Sequence, residues 1–313
     1  MADDAVRIVY VLGMARSGST VLDIALGNHP EMLAVGELEN LPGAGWSKGE
    51  LCACGSPGDR CAFWSEVRRA WSARLGRDDV AGYLALQERF TRPRRFHPVP
   101  THLRREAHAP SEAFRSFADA TRALYEAIAD ISGRRIIVDS SKYPPRAYAL
   151  ALIRGLDVRF VHLVRDGRAV AWSLAKAYRK DVAAGIPTDM APISTLWSSR
   201  SWLSINRACE DVLRESGAPS LRLRYEDFVQ TPRAMLVGIG TLLDLDLSAL
   251  GDRLERGAVL DAGHVIAGNR VRLEGPVRLA LDESWRREMP LARRGLFWLL
   301  AGGLARRYGY AWA

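Results

Sequence analysis

Short apolar runs alternate with longer stretches of helical spacing along most of this chain. The runs Ile8 to Leu12, Glu31 to Val35, Arg134 to Val138, Val158 to Val164 and Leu221 to Leu223 read as strands. The first of them, apolar throughout, reads as a buried parallel strand. Between the strands, the spacing predicts a helix opening at Ser19-Thr20 and ending at Asn28-His29-Pro30, with His29 packed against it. Further helices are expected over Ala62 to Phe90, from Ser111 through Phe114, Phe117, Leu124 and Ile128, over Pro145 to Arg154, and from Ala169 to about Lys180. Two more follow, over Trp197 to Glu215 and Pro232 to Leu243. Pro42 to Asp59, Arg92 to Pro110 and Gly185 to Pro192 read as loops, the second of them mobile. Strands alternating with helices imply an α/β fold with a central parallel sheet flanked by helices. The helical block between the second and third strands looks like a cap insertion, over residues 43–130 of a single domain spanning 1–313.

The stretch Arg7 to Asn28, RIVYVLGMARSGSTVLDIALGN, joins the first strand to a helix through a glycine loop. Free backbone N–H groups and the positive end of the helix dipole converge at such a junction and favour an anion. Gly13-x-x-x-x-Gly18-Ser19-Thr20 has the frame of a phosphate-binding P-loop, but Ser19 stands where that loop carries lysine. Nucleotide triphosphatases need that lysine to neutralise the outer phosphates, so ATP chemistry is not expected. The loop's cation is Arg16 instead.

A second anion signal follows the fourth strand, in RDGRAVAWS. Arg165 stands at the strand end and Gly167 lets the chain turn into a helix. A guanidinium suits phosphate because its planar fork donates paired hydrogen bonds. Two anion-binding turns on one sheet fit a ligand with phosphates at both ends.

Charge agrees with this picture. The net charge is +8, which favours anionic partners. The basic runs Arg92 to Arg105 and Arg286 to Arg294 lack interleaved aromatics, so no nucleic-acid partner is expected. No stretch reaches the length of a membrane span, and the first apolar run is too short for a secretory signal. A soluble, cytoplasmic protein is expected. Three of the four cysteines cluster as Cys52-x-Cys54-Gly55-x5-Cys61. In a cytoplasmic chain such a cluster suggests metal before disulfide. A zinc site needs a fourth ligand, no histidine lies within the cluster, and Cys209 is remote in sequence. The expectation is therefore a thiol-bearing turn packed near Phe63-Trp64, with no metal.

ARSGST resembles the 5′-phosphosulfate loop of sulfotransferases that use 3′-phosphoadenosine 5′-phosphosulfate (PAPS), in the arginine version of the Golgi and tyrosylprotein branch. That resemblance runs from Ile8 to about Arg287 and is strongest at RSGST and RDGRAVAWS. It implies that Arg16, Ser17, Gly18, Ser19 and Thr20 hold the phosphosulfate. Arg165 and Ser173, eight residues apart, would hold the 3′-phosphate. Tyr225, in RYEDF, would contact the nucleotide. Gly268, Asn269 and Arg272 would belong to a C-terminal loop closing over the 3′-phosphate, with Trp285 beginning the closing helix. Lys142, in DSSK, would neutralise charge on the bridging oxygen. The base that deprotonates the acceptor is expected at Glu37, about twenty residues after Arg16. Glu39 and the cap histidines His97, His102 and His108 are the alternatives.

The resemblance thus implies sulfuryl transfer from PAPS to an acceptor hydroxyl or amine, with adenosine 3′,5′-bisphosphate as product and no obligatory metal. Golgi members carry an N-terminal anchor that is not evident here. Two rivals stand against it. A P-loop kinase acting on a small metabolite would need a loop lysine and a strand-end carboxylate for Mg²⁺, with Asp139 the candidate. A non-enzymatic module binding an anionic nucleotide would need the two anion-binding turns alone.

Overall fold

The computed structural model describes residues 5–92, 99–177, 180–181, 189 and 191–312. Five strands form one parallel sheet: β1 (Val6–Leu12), β2 (Met32–Gly36), β3 (Ile136–Lys142), β4 (Leu156–Val164) and β5 (Ser220–Arg224). Their order is β2-β3-β1-β4-β5. Each strand lies within a few residues of its expected position. With β3 on one side of β1 and β4 on the other, the winding reverses at β1. Open α/β sheets bind ligands in the crevice outside the carboxyl ends of the strands at such a switch point.

Helix α1 (Ser19–Gly27) joins β1 to β2. The cap between β2 and β3 holds α2 (Ala62–Leu75), α3 (Val80–Phe90), α4 (Thr101–Glu106) and α5 (Glu112–Ser132). Next come α6 (Pro144–Ala151), α7 (Gly167–Leu174) and α8 (Thr195–Ser216). After β5 follow α9 (Tyr225–Gln230), α10 (Pro232–Leu243), α11 (Ser248–Glu255), α12 (Trp285–Glu288) and α13 (Leu291–Arg307).

Successive side chains of a strand point to opposite faces, and β1 shows it plainly. Ile8, Tyr10 and Leu12 face an apolar cluster shared with the cap tryptophans Trp64 and Trp71 and with residues of α8 and α13. Val9 and Val11 face a second cluster, shared with α1, α10 and α11. The cap is therefore packed into the same apolar body as one face of the sheet. Hydrogen bonds fix its helices too: Trp71 Nε1 donates to Ala120 O at 2.9 Å, across the α2–α5 contact.

Four sequence expectations are corrected. The helix expected over Ala62 to Phe90 is two helices. Gly76 ends α2 in the left-handed region, at φ 66, and Asp79 caps α3 by accepting from Gly82 N at 2.7 Å. The loop expected over Pro42 to Asp59 begins with a wide π-type turn, Leu41–Trp46, anchored by buried Trp46. The connection over Arg92 to Pro110 contains α4. Helix α7 starts at its Asp166 cap and ends at Leu174, short of Lys180. His97 and most of the loop expected over Gly185 to Pro192 lie outside the described residues.

Candidate active site

The glycine loop stands at the carboxyl end of β1, and its conformation is dictated by close contacts. A Cβ on Gly13 would lie 2.4 Å from Leu163 O of β4, and one on Gly18 would lie 2.1 Å from the Tyr225 ring. Both glycines have positive φ, as does Arg16, at φ 68. A non-glycine residue held there costs backbone energy, and such strain gathers where a loop must present its groups to a ligand. Helix α1 begins at Ser19 with no side-chain cap, and the buried Ser17 Oγ has no hydrogen-bond partner among the described residues.

The turn after β4 meets the glycine loop. Arg165 Nη1 donates to Arg16 O at 3.1 Å, and Nη2 donates to Asp282 O at 3.1 Å. Its guanidinium carbon lies 4.9 Å from the centroid of the Tyr225 ring, which also packs against Gly18. Tyr225 Oη donates to Ala280 O at 3.2 Å, and burial raises its pKa against the opposing charge of Arg165. Arg16, Gly18, Arg165 and Tyr225 thus form one cluster. Ser173 lies in the last turn of α7, partly exposed.

Lys142 and Glu37 are also brought together. Opposite Tyr10 to Leu12, strand β3 carries an extra residue between Asp139 and Lys142, and Lys142 ends the strand at φ 72. Lys142 Nζ pairs with Glu37 Oε1 and donates to Ser140 O at 3.2 Å. Glu37 Oε2 accepts from Asn40 Nδ2 at 2.9 Å. A Cβ on Gly268 would lie 3.1 Å from Thr20 Oγ1 and 3.4 Å from Glu37 Oε1. Glu37 therefore borders both the start of α1 and the C-terminal loop.

Beneath this pair lies a sealed network. Arg146, fully buried, donates to Glu39 Oε2 at 2.5 Å and to Asp139 Oδ2 at 3.1 Å. Glu39 also accepts from Gln87 Nε2 at 3.1 Å and Thr91 Oγ1 at 2.5 Å. Burial raises the Glu39 pKa, with Arg146 and Thr91 pulling it back. Asp139 accepts from Tyr125 Oη at 2.6 Å and from Ser141 N at 2.9 Å. These contacts tie Asp139 into the core. Of the cap histidines, His102 and His108 are exposed on the cap, with His102 Nε2 2.9 Å from Arg89 O. His29 lies at the turn after α1 and accepts from Glu31 N at 3.3 Å.

The C-terminal loop reaches α1 through its backbone: Asn269 N donates to Thr20 Oγ1 at 3.1 Å. The Asn269 side chain caps a short turn by accepting from Val271 N at 3.1 Å. Arg272 does not point at this crevice with a free fork. It is buried, and its Nη2 donates to Glu50 Oε1 at 2.9 Å and to Leu51 O at 3.0 Å. Burial lowers its pKa against the pull of Glu50. Here Arg272 ties the C-terminal loop to the start of the cap.

Three charged residues near the site were not singled out from the sequence. Arg146 sits behind Pro144-Pro145, where nothing in the pattern marks it as buried. Arg168 pairs with Asp166 at 2.7 Å and lies 4.5 Å from the Trp285 ring centroid, bracing the turn that carries Arg165. Asp23 is buried in α1 and accepts from Gly36 N at 3.0 Å. Burial, then the nearby Asp139, raises its pKa well above its ordinary value. A lone aspartate in the apolar run VLDIAL is the signal that could have found it.

Comparison with known proteins bears on the whole arrangement. In fold, the chain is similar to the sulfotransferase domain of the Synechococcus PCC 7002 olefin synthase, at 20% identity and TM-score 0.50, covering 98% of this chain and 96% of that one. It also matches the sulfotransferase domain from the curacin biosynthetic pathway, at 15% identity, TM-score 0.48 and coverages of 96% and 97%. A third match is the sulfotransferase STF9 from Mycobacterium avium, at 12% identity, TM-score 0.46 and coverages of 98% and 78%. At 20% identity the first of these speaks to the fold alone. No curated protein matches by sequence. No helix among the described residues is long and apolar enough to cross a membrane. The family model described as "Sulfotransferase family" matches residues 58–249. That span is well over half of the chain, and it begins beyond the glycine loop, so it is independent of the ARSGST motif. The chain belongs to the sulfotransferase family.

Proposed function

We propose that this sulfotransferase takes its sulfuryl group from PAPS and delivers it to an acceptor hydroxyl or amine, releasing adenosine 3′,5′-bisphosphate. The supporting observation is the junction of the two anion turns, where Arg165 Nη1 lies 3.1 Å from Arg16 O. A donor with a phosphosulfate at one end and a 3′-phosphate at the other needs two cationic seats on one sheet edge. The open N-terminus of α1, Arg16 and the hydroxyls of Ser17, Ser19 and Thr20 would receive the phosphosulfate. Arg165 and Ser173 would receive the 3′-phosphate, with Tyr225 against the nucleotide. Asn269 and Arg272 would close over the donor only if the C-terminal loop shifts, because Arg272 is held by Glu50 and Leu51.

Glu37 is the base in this reading. It would take the acceptor proton as the new sulfur–oxygen bond forms and the bond to the bridging phosphate oxygen breaks. Lys142 and Arg16 would neutralise the charge left on that oxygen. Glu39 is unsuited to the task, since all of its contacts are inside the core. The cap, residues 43–130, would shape the acceptor site as an insertion within one domain.

Calorimetry with adenosine 3′,5′-bisphosphate tests the donor. Binding is expected without magnesium, and Arg165→Ala should weaken it about 10- to 100-fold, the range for a charged hydrogen bond of about 1.5–3 kcal/mol. No association with the bisphosphate, alongside tight binding of ATP with magnesium, would refute the reading and favour phosphoryl transfer.

A further inference from the structure

The cysteine turn at the start of the cap gains in space the partner it lacks in sequence. His264 lies 203 positions beyond Cys61, yet its Nδ1 is 3.3 Å from Cys61 Sγ and 3.7 Å from Cys52 Sγ. Cys54 Sγ is 3.7 Å from Cys61 Sγ. The four ligand atoms all lie within 4.8 Å of one another, and all three cysteines are free thiols. We propose that Cys52, Cys54, Cys61 and His264 hold a zinc ion in a closed, structural Cys₃His site.

The spacing is the first support. With Zn–S near 2.3 Å and Zn–N about 2.0–2.1 Å, a tetrahedron has S···S edges of about 3.8 Å and S···N edges of about 3.6 Å. Three of the six separations, 3.3 to 3.7 Å, match those edges within a few tenths of an ångström, and all six lie within 4.8 Å. A thiol–imidazole hydrogen bond would bring a single sulfur to the ring, whereas here three sulfurs gather with it.

The backbone is the second support. A main-chain N–H lies near each sulfur: that of Cys54 near Cys52, that of Ser56 near Cys54 and that of Trp64 near Cys61. Donors of this kind stabilise the negative charge that thiolates keep when they bind a metal. Gly55, at φ 85, lets the chain turn back between the ligands, and Gly55 N donates to Cys52 O at 2.9 Å. The histidine is fixed independently. Its ring stacks on Phe63 at 5.0 Å, and its carbonyl accepts from Trp64 Nε1 at 2.8 Å. Three soft sulfurs and one imidazole select zinc over the hard, oxygen-seeking cations.

Four protein ligands leave no open position, so the ion would take no part in the reaction. It would join two segments remote in sequence. Ala53 N donates to Val265 O at 3.0 Å, and Glu37 N donates to Ile266 O at 3.0 Å. The C-terminal loop thus lies between the strand end carrying Glu37 and the cysteine turn, and the zinc would lock the loop to the turn.

The test is made on the full chain, purified under reducing conditions, and needs no substrate. Elemental analysis should find one zinc per chain. Cobalt(II) added to the stripped protein should give the intense visible absorption of tetrahedral coordination together with thiolate charge-transfer bands. Cys54→Ser, at an exposed position, should abolish stoichiometric zinc while the far-ultraviolet circular dichroism stays folded. His264→Ala should change the cobalt spectrum, and Cys209→Ser, outside the cluster, should leave it intact. Zinc-free wild-type protein with no tetrahedral cobalt spectrum would overturn the proposal. So would a mass two hydrogens light, which would mean a disulfide among these cysteines.

Discussion

Two ion pairs, their carboxylates two residues apart in the chain, have opposite surroundings. Glu37 pairs with Lys142, and their side chains keep 14% and 9% of their exposure. Glu39 pairs with Arg146, and both are fully buried. Among the described residues the first pair's further hydrogen bonds run to Asn40 and to Ser140 O. The second is held by Gln87, Thr91, Asp139 and Tyr125. Removing one charge from it strands another in a low-dielectric interior, which costs far more than the pair contributes in place. In the proposed mechanism the same chemistry would serve the reaction in one location, while burial gives it to the architecture in the other.

Breaking the sealed pair should have the largest effect. Arg146→Ala leaves Glu39 and Asp139 without their cation and should lower stability by about 3–5 kcal/mol. Urea unfolding followed by tryptophan fluorescence reads this out; an unchanged midpoint would mean the network is not what holds the cap to β3. Breaking the open pair should spare the fold. Glu37→Gln should cut turnover about 10²- to 10⁴-fold, with the melting temperature and bisphosphate affinity nearly unchanged. A variant that keeps full turnover would move the base elsewhere and remove the functional half of the contrast.

The smallest effect sharpens the role of burial. Because the Asp23 pKa is raised in the folded protein, the fold retains a proton that the unfolded chain releases. Its contribution is present below the ordinary carboxylate pKa, near pH 4, and is lost as pH rises toward the folded value, by up to about 1.4 kcal/mol per pH unit. Asp23→Asn keeps an acceptor for Gly36 N and carries no charge. Its unfolding midpoint should overtake the wild type's as pH rises from 4 to 7. A constant difference between the two across that range would show that Asp23 is ionised in the fold.

Much of this molecule was legible from local pattern. Strand runs, helix periods and the glycine loop are short-range features, and all five strands lie close to their expected positions. The pattern across Gly76 to Asp79 was misread because apolar spacing resumed in phase on the other side, hiding a helix stop and a new cap. Arg272 shows a second limit of local pattern. Its motif lies within a few residues, but the carboxylate it pairs with, Glu50, lies on a different segment.

By itself the sequence determined the strands of the sheet and the two glycine-bearing turns at their carboxyl ends, because each depends on neighbours within about one element. Only the tertiary structure decided which carboxylate is sealed and which borders the crevice, and which histidine completes the cysteine cluster. Those outcomes depend on contacts between segments far apart in the chain. Burial and convergence of that kind are properties of the packed interior, and no local pattern records them.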